Sequence, residues 1–282
     1  MPTVAYQGEP GAYSEQAAID FFGVQAIPHP RQTFEAVFAC VTEGDSDFGV
    51  APVENSLAGS IHRNYDLLMR NPKVFIVGEV ILRINHNLIT LPGVQLGDIK
   101  RVYSHWQALD QCEQSITRLL PGVERVQVYD TAGSVKMLAE EKRADTAAIA
   151  SKRAASLYGL PILREAVEDD LTNYTRFVVL GRQPAEVPAG TPCKTSIVFT
   201  TPNAPGSLFR SLAVFALRDI DLTKIESRPL QGSPWEYLFY LDFGGHANDL
   251  VCKRAIDHLS EQTTILRVLG SYARAANRTQ TA

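Results

Sequence analysis

Four short polar segments hold the residues best suited to chemistry. In APVENSLAGS, Glu54, Asn55 and Ser56 directly follow a buried strand, where open α/β sheets present ligand-contacting groups. The plainer alternative is a capped turn, with Ser56 or Asn55 bonding backbone and Gly59 breaking the chain. In YSHWQALDQC, Ser104 suits a helix cap, and Gln107 and Gln111 stand four apart on one helical face. In DDLTNYTRF, Thr172 and Thr175 supply hydroxyls. Arg176 is a residue type that clamps a carboxylate bidentately, or else forms a salt bridge with Asp169 or Asp170. In QGEPGAYSEQAA, Gly8 and Gly11 allow tight turns and Ser14 can cap the next helix, whose N-terminus would attract an anion. That loop matches neither GxxxxGK[ST] nor GxGxxG, so it is also readable as an ordinary strand-to-helix turn.

Other chemistries find less support. Ser104 adjoins His105, but neighbours in sequence seldom face each other and GxSxG is absent, which argues against a nucleophilic triad. The six histidines lack HExxH spacing. The four cysteines (Cys40, Cys112, Cys193 and Cys252) form no CxxC pair. A catalytic metal therefore has no support in the spacing.

The elements that must position these segments read as α/β. Thr3 to Tyr6 is strand-like, Ser14 to Phe22 and Thr33 to Thr42 helical, and Phe48 to Pro52 a strand. An extended stretch from Lys73 to Thr90 is too long for one average strand and suits a passage between lobes. A second α/β series follows: strand Arg101 to Tyr103, helix Gln107 to Leu120, strand Glu124 to Tyr129, helix Ala132 to Lys142, strand Thr146 to Ala150 and helix Lys152 to Tyr158. Tyr174 to Leu180 is strand-like and suits a return to the first lobe. Gly181 to Pro192 has three prolines and two glycines without periodicity, which is linker composition. Beyond it come strand Thr195 to Thr201, helix Gly206 to Arg218, strands Leu222 to Pro229 and Trp235 to Phe243, helix Asp249 to Glu261 and strand Thr264 to Leu269. This βαββαβ order is that of a ferredoxin-like fold. The tail from Ser271 is polar and expected to fray.

Length and composition set the outer bounds. The 282 residues suit two domains; 45% hydrophobic and 21% charged residues are globular values. A net charge of -4, with no basic cluster interleaved with aromatics, argues against a nucleic-acid partner. The N-terminus has no signal-like pattern, and the longest apolar stretch, Val74 to Leu82, contains Glu79 and falls short of a membrane span. No membrane partner and a cytoplasmic location are expected.

Taken in order, GEPGAYSEQAA, PVENSLAGSI, YSHxQxxxQC, TNYTRF and LTKIESRP resemble the prephenate dehydratase family, including its C-terminal ACT regulatory domain. The likeness covers essentially the whole chain, and no chorismate mutase segment precedes the first motif, as in the monofunctional form. It implies a bilobed catalytic domain over residues 1–182, similar to periplasmic solute-binding proteins, then a ferredoxin-like ACT domain over 193–271. The implied activity is cofactor-free conversion of prephenate to phenylpyruvate, with phenylalanine as effector and a homodimer or homotetramer as assembly. Arogenate dehydratase and a non-catalytic amino-acid-binding module are the alternatives.

The resemblance also implies residue roles. Thr175 assists the leaving hydroxyl. Asn55, Ser104, Gln107 and Gln111 orient substrate, with Ser14, Ser56, Thr172 and Phe177 in supporting contact, and Arg176 either binds a substrate carboxylate or holds its loop in place. Glu54 is either an acid kept protonated by burial or a brace for its loop. Pro205, Gly206, Ser207 and Leu208, with Glu226, Ser227, Arg228 and Pro229, are implied to bind the effector. The chain departs from the pattern at Trp106, where proline is frequent, and at Ser207, within a PGAL-like stretch.

Overall fold

The computed structural model describes residues 1–230 and 236–275. They divide into two compact units, Met1–Ile61 with Val80–Phe177, and His62–Glu79 with the described residues from Val178 onward.

The chain begins with β1 (Thr3–Gln7), α1 (Tyr13–Phe22), β2 (Ile27–Arg31), α2 (Phe34–Glu43), β3 (Phe48–Asn55) and β4 (Gly59–Ser60). β1 pairs in parallel with both β2 and β3. Sequence reading did not anticipate β2, because IPHPR carries two prolines. Ile27 N–H bonds Pro2 O, so the alternating Pro28 and Pro30 nitrogens fall on the unpaired side of an edge strand, where proline is tolerated.

Next come α3 (His62–Arg70), β5 (Phe75–Arg83), β6 (Asn87–Ile89), β7 (Arg101–Ser104), α4 (Trp106–Gln111), α5 (Glu113–Leu119) and β8 (Glu124–Gln127). They are followed by α6 (Thr131–Glu141), β9 (Thr146–Ala150), α7 (Lys152–Leu157), β10 (Ile162–Arg164) and β11 (Tyr174–Gly181). One sheet runs β2-β1-β3-β11-β5 with β4 on β3; another runs β10-β6-β9-β7-β8. The extended stretch from Lys73 is therefore two strands in two sheets. The boundary between the compact units falls inside β5 and β11.

The single helix expected from Gln107 to Leu120 is broken at Cys112. The Asp169 carboxylate accepts the N–H groups of Gln114 and Ser115, both at 2.8 Å, and Asp169 N–H bonds Gln111 O. A segment distant in sequence thus caps a new helix where the first would have continued.

The second unit's larger part contains β12 (Cys193–Thr200), α8 (Ser207–Ala216), β13 (Leu222–Pro229), β14 (Tyr237–Gly244), α9 (Leu250–Ser260) and β15 (Leu266–Ala273). Its antiparallel sheet is ordered β13-β14-β12-β15. The expected strand start at Trp235 lies outside the described residues. Ile197, Phe199, Leu241 and Phe243 share an apolar core with Val214, Phe215 and Leu259 of the two helices.

Residues 62–79 pack with the same sheet. The Tyr240 hydroxyl donates to Tyr65 O at 2.9 Å, and Arg267 donates to Leu68 O and Val74 O, both at 2.7 Å. Gly270 passes so close to this segment that a Cβ would sit 2.0 Å from Ile76 O, so any side chain there would force the backbones apart. The fraying expected from Ser271 is corrected for the first residues of the tail, where β15 continues to Ala273, while residues 276–282 lie outside the described residues. Ser271 and Tyr272 are buried and meet Thr195 and Ser196 of β12 at 2.8 and 2.7 Å.

Candidate active site

The ENS and TRF segments meet because β3 and β11 are neighbours in one sheet. Asn55 is 5% exposed, and its Oδ1 accepts from the backbone N–H of Leu57 at 3.1 Å and Ala58 at 2.8 Å. A backbone amide can only donate, so these two bonds fix which end of the Asn55 amide is oxygen. Its Nδ2 then donates to Asn173 Oδ1 at 2.7 Å, Thr175 Oγ1 at 3.0 Å and Tyr174 O at 3.2 Å.

The assignment propagates. With Oδ1 accepting from Asn55, Asn173 must donate through Nδ2, which lies 3.0 Å from Gln111 Oε1. That oxygen also lies 3.0 Å from His86 Nε2. The Gln111 side chain is half-buried, and its NH2 end meets no acceptor among the described residues. Thr175, 8% exposed, already receives a hydrogen bond at oxygen, which leaves its own hydrogen to be donated elsewhere. The arrangement therefore leaves the Gln111 NH2 and the Thr175 O–H as donors with no acceptor among the described residues, as an anionic ligand requires.

The remaining candidates take more varied positions. The Ser56 hydroxyl donates to Thr172 O and accepts Tyr174 N–H, tying the two motifs together. Thr172 is exposed and turns its hydroxyl to Asp170. Arg176 lies 3.9 Å from Glu54 instead of pairing with Asp169 or Asp170, and the Glu54 side chain is 41% exposed. Phe177 is buried within β11.

Ser104 is fully buried and donates to Ile149 O at 2.7 Å. It does not cap α4: that place belongs to His105, whose ring accepts Gln107 N–H. Gln107 and Gln111 share α4, both half-buried. Ser14 is likewise no cap, since Ala12 precedes α1 and Ser14 lies inside it, buried.

The glycine loop before α1 has a different role from the one expected of a turn alone. Gly11 has φ 95°, and a Cβ there would lie 2.7 Å from Ala154 Cα. Its carbonyl accepts the Ser151 hydroxyl at 2.7 Å, and its N–H is accepted by the Glu15 carboxylate, which pairs with Arg153 at 2.9 Å. The two sheets of the first unit are latched here. Glu15, Arg153, Asn173 and His86 were not singled out in the sequence, although Glu15 and Asn173 lie inside motifs noted there.

In the second unit, Gly206 has φ 77° as it leads into α8, Ser207 is buried and accepts from Arg210, and Leu208 packs on the helix-side core. Pro205 O accepts from Arg210 as well. Along β13, Glu226 lies 3.6 Å from His62 and Arg228 bonds Asp66 at 3.0 Å, so both face α3; Ser227 and Pro229 are exposed. Among the described residues, no group of three or more His, Cys, Asp or Glu side chains could hold a metal ion, and no helix is long and apolar enough to cross a membrane.

A sequence model of the family described as Prephenate dehydratase matches residues 4–185. The chain is 49% identical over 279 residues to Arogenate dehydratase/prephenate dehydratase 2, chloroplastic, of Arabidopsis thaliana, covering 95% of this chain and 72% of the relative. Among solved structures, a prephenate dehydratase from Arthrobacter aurescens in complex with L-Phe superimposes with TM-score 0.89 at 33% identity, covering 97% of this chain and 90% of that one. GqqA, described as a novel type of quorum quenching acylase, superimposes with TM-score 0.89 at 37% identity, covering 98% and 99%.

Proposed function

The chain belongs to the prephenate dehydratase family, and from that premise we propose that it converts prephenate to phenylpyruvate, carbon dioxide and water. The observation carrying this reading is the Asn55–Thr175 hydrogen bond at 3.0 Å, in which the threonine oxygen accepts and its own hydrogen is left to donate. Prephenate has two carboxylates and a ring hydroxyl. When the bond from the ring to one carboxyl group breaks, its electron pair moves through the ring and expels the hydroxyl, which leaves as water once protonated. Thr175 donates to that leaving oxygen, as hydrogen-bond donor or proton relay. The Gln111 NH2, with Gln107, orients the substrate. Ser104 supports the strand end from which α4 departs. Arg176 and Glu54 brace the ENS loop against β11.

The relative's double name supports a second reading, in which arogenate is the substrate and phenylalanine the product. An acylase reading gains nothing from the site: the Thr175 hydroxyl meets Asn55 and the Ser104 hydroxyl meets Ile149 O, so neither faces a base that would activate it. Incubating the purified chain with each substrate, with and without EDTA, tests these readings. Phenylpyruvate from prephenate at an EDTA-insensitive rate is expected. Phenylalanine from arogenate with prephenate inert would transfer the assignment to the second reading, and an EDTA loss restored by divalent metal would overturn the cofactor-free mechanism.

The βαββαβ portion is read as an ACT domain that binds phenylalanine near Pro205–Leu208 and the Glu226–Pro229 strand end, in an assembly of two or four chains. The L-Phe complex of the Arthrobacter aurescens relative supports this. His62 and Asp66 contact the ESRP segment, and α3 directly follows Ile61, whose N–H bonds Val53 O beside Glu54. Effector-dependent change at β13 thus has a covalent route to the ENS loop. Truncation in the linker would strip the sheet from residues 62–79, so the intact chain is the right material. L-Phe is expected to inhibit it, and Gly206→Val, at a positive φ, is expected to raise the half-inhibiting concentration by more than about tenfold, equivalent to ~1.4 kcal/mol. An unchanged concentration would move the effector site elsewhere.

A further inference from the structure

Burial, position and partners single out one histidine that the proposed reaction leaves without a role. His86 is 2% exposed, in the short link between β5 and β6, and each of its ring nitrogens faces a defined group. Nε2 lies 3.0 Å from Gln111 Oε1 and Nδ1 lies 3.1 Å from the Tyr13 hydroxyl. Its backbone N–H bonds Glu168 Oε2 at 2.8 Å, which holds the link in place.

The tautomer follows from the backbone. Leu57 and Ala58 N–H orient Asn55, Asn55 orients Asn173, and Asn173 Nδ2 requires the facing atom of Gln111 to be oxygen. An oxygen cannot donate, so His86 must carry a hydrogen on Nε2. Burial lowers the His86 pKa, favouring the neutral ring, in which Nδ1 is a lone pair. The Tyr13 hydrogen is then shared between that lone pair and Asn85 O at 2.6 Å.

We propose that His86 is a positioning residue, whose Nε2–H joins Asn173 in pinning Gln111 Oε1 so that only the Gln111 NH2 is presented to the substrate. Were the amide to flip, its NH2 would face two donors and its oxygen would meet an anionic carboxylate. Both contacts are repulsive, so the two interior bonds select a donor for the site. The inference rests on reading Gln111 as a substrate-contacting residue.

Three measurements on the full chain test it. In the wild-type protein labelled with 15N at histidine, at a pH above neutrality, the His86 signal, assigned by its loss in His86→Gln, should show Nε2 bearing hydrogen. A bare Nε2 would overturn the proposal without reference to any substrate. In kinetics, His86→Met should lower kcat/KM roughly 5- to 100-fold, whereas His86→Gln, whose amide N–H can replace Nε2–H, should recover most of the loss. Equal impairment in both, at matched thermal stability, would reduce His86 to packing. In a Gln111→Met background, His86→Met should cost at most about twofold more, because its effect passes through Gln111. Additive losses would refute the mechanism. A wild-type protein inert on both prephenate and arogenate would sink the dehydratase reading, and the 15N spectrum would still decide the tautomer.

Discussion

Thr175→Ala is expected to lower kcat by roughly 10²- to 10⁴-fold, the range that loss of a positioned proton donor commands. Substrate affinity should change far less, because Gln111, Gln107 and the donor-lined turn around Asn55 remain. The Asn55 Nδ2 to Thr175 Oγ1 bond of 3.0 Å shapes the companion variants. Thr175→Ser keeps an oxygen for Asn55 to address and should retain more activity than alanine. Asn55→Asp keeps the acceptor for Leu57 and Ala58 N–H but offers Thr175 an acceptor instead of a donor, so the hydroxyl turns inward. It should lose activity despite its near-identical shape. Initial rates across a range of prephenate concentrations separate the outcomes: an alanine variant with near-normal kcat and raised KM would make Thr175 a binding group.

The largest effect on stability is expected from Lys194→Met. Lys194 Nζ meets Glu79 Oε2 at 2.9 Å with side-chain exposures of 9% and 0%, and Ala275 N–H bonds the other Glu79 oxygen. Both charges lie within the second unit, which joins the 62–79 segment to the antiparallel sheet. Removing one partner of a buried ion pair costs about 3–5 kcal/mol. For a chain of this length that lowers Tm by roughly 5–10 °C. The double variant Glu79→Leu with Lys194→Met removes both charges and should regain much of the loss. Thermal unfolding of the three proteins is the test, and a Lys194→Met protein melting with the wild type would show that the pair contributes little.

Local pattern was enough for much of the architecture. Alternation of β-rich runs with amphipathic helices announces the α/β portion, and the βαββαβ order after the linker is written in hydrophobic period alone. The ENS, SHxQ and TRF segments were recognisable because each is contiguous, and strand ends in open sheets are where polar residues gather. The likeness to a family then rested on those same stretches in order.

Tertiary structure decided what distant residues do to one another. The break in the helix after Gln111 comes from the Asp169 carboxylate, more than fifty positions away, and no helical propensity around Cys112 predicts it. Ser14 and Ser104 had the right residue types for caps, but Ala12 and His105 hold those places once backbone geometry is fixed. Residues 62–79 lie between two stretches of the first unit in sequence yet pack with the last third of the chain, because the sheet there offers partners to Tyr65, Leu68 and Val74. The donor chain of the site is the clearest case. Asn55 and Asn173 are 118 positions apart, and the orientation of every amide between them and His86 is set by two backbone N–H groups. Residue type tells which groups a side chain carries; which end of an amide faces a ligand depends on partners that only folding brings within 3 Å.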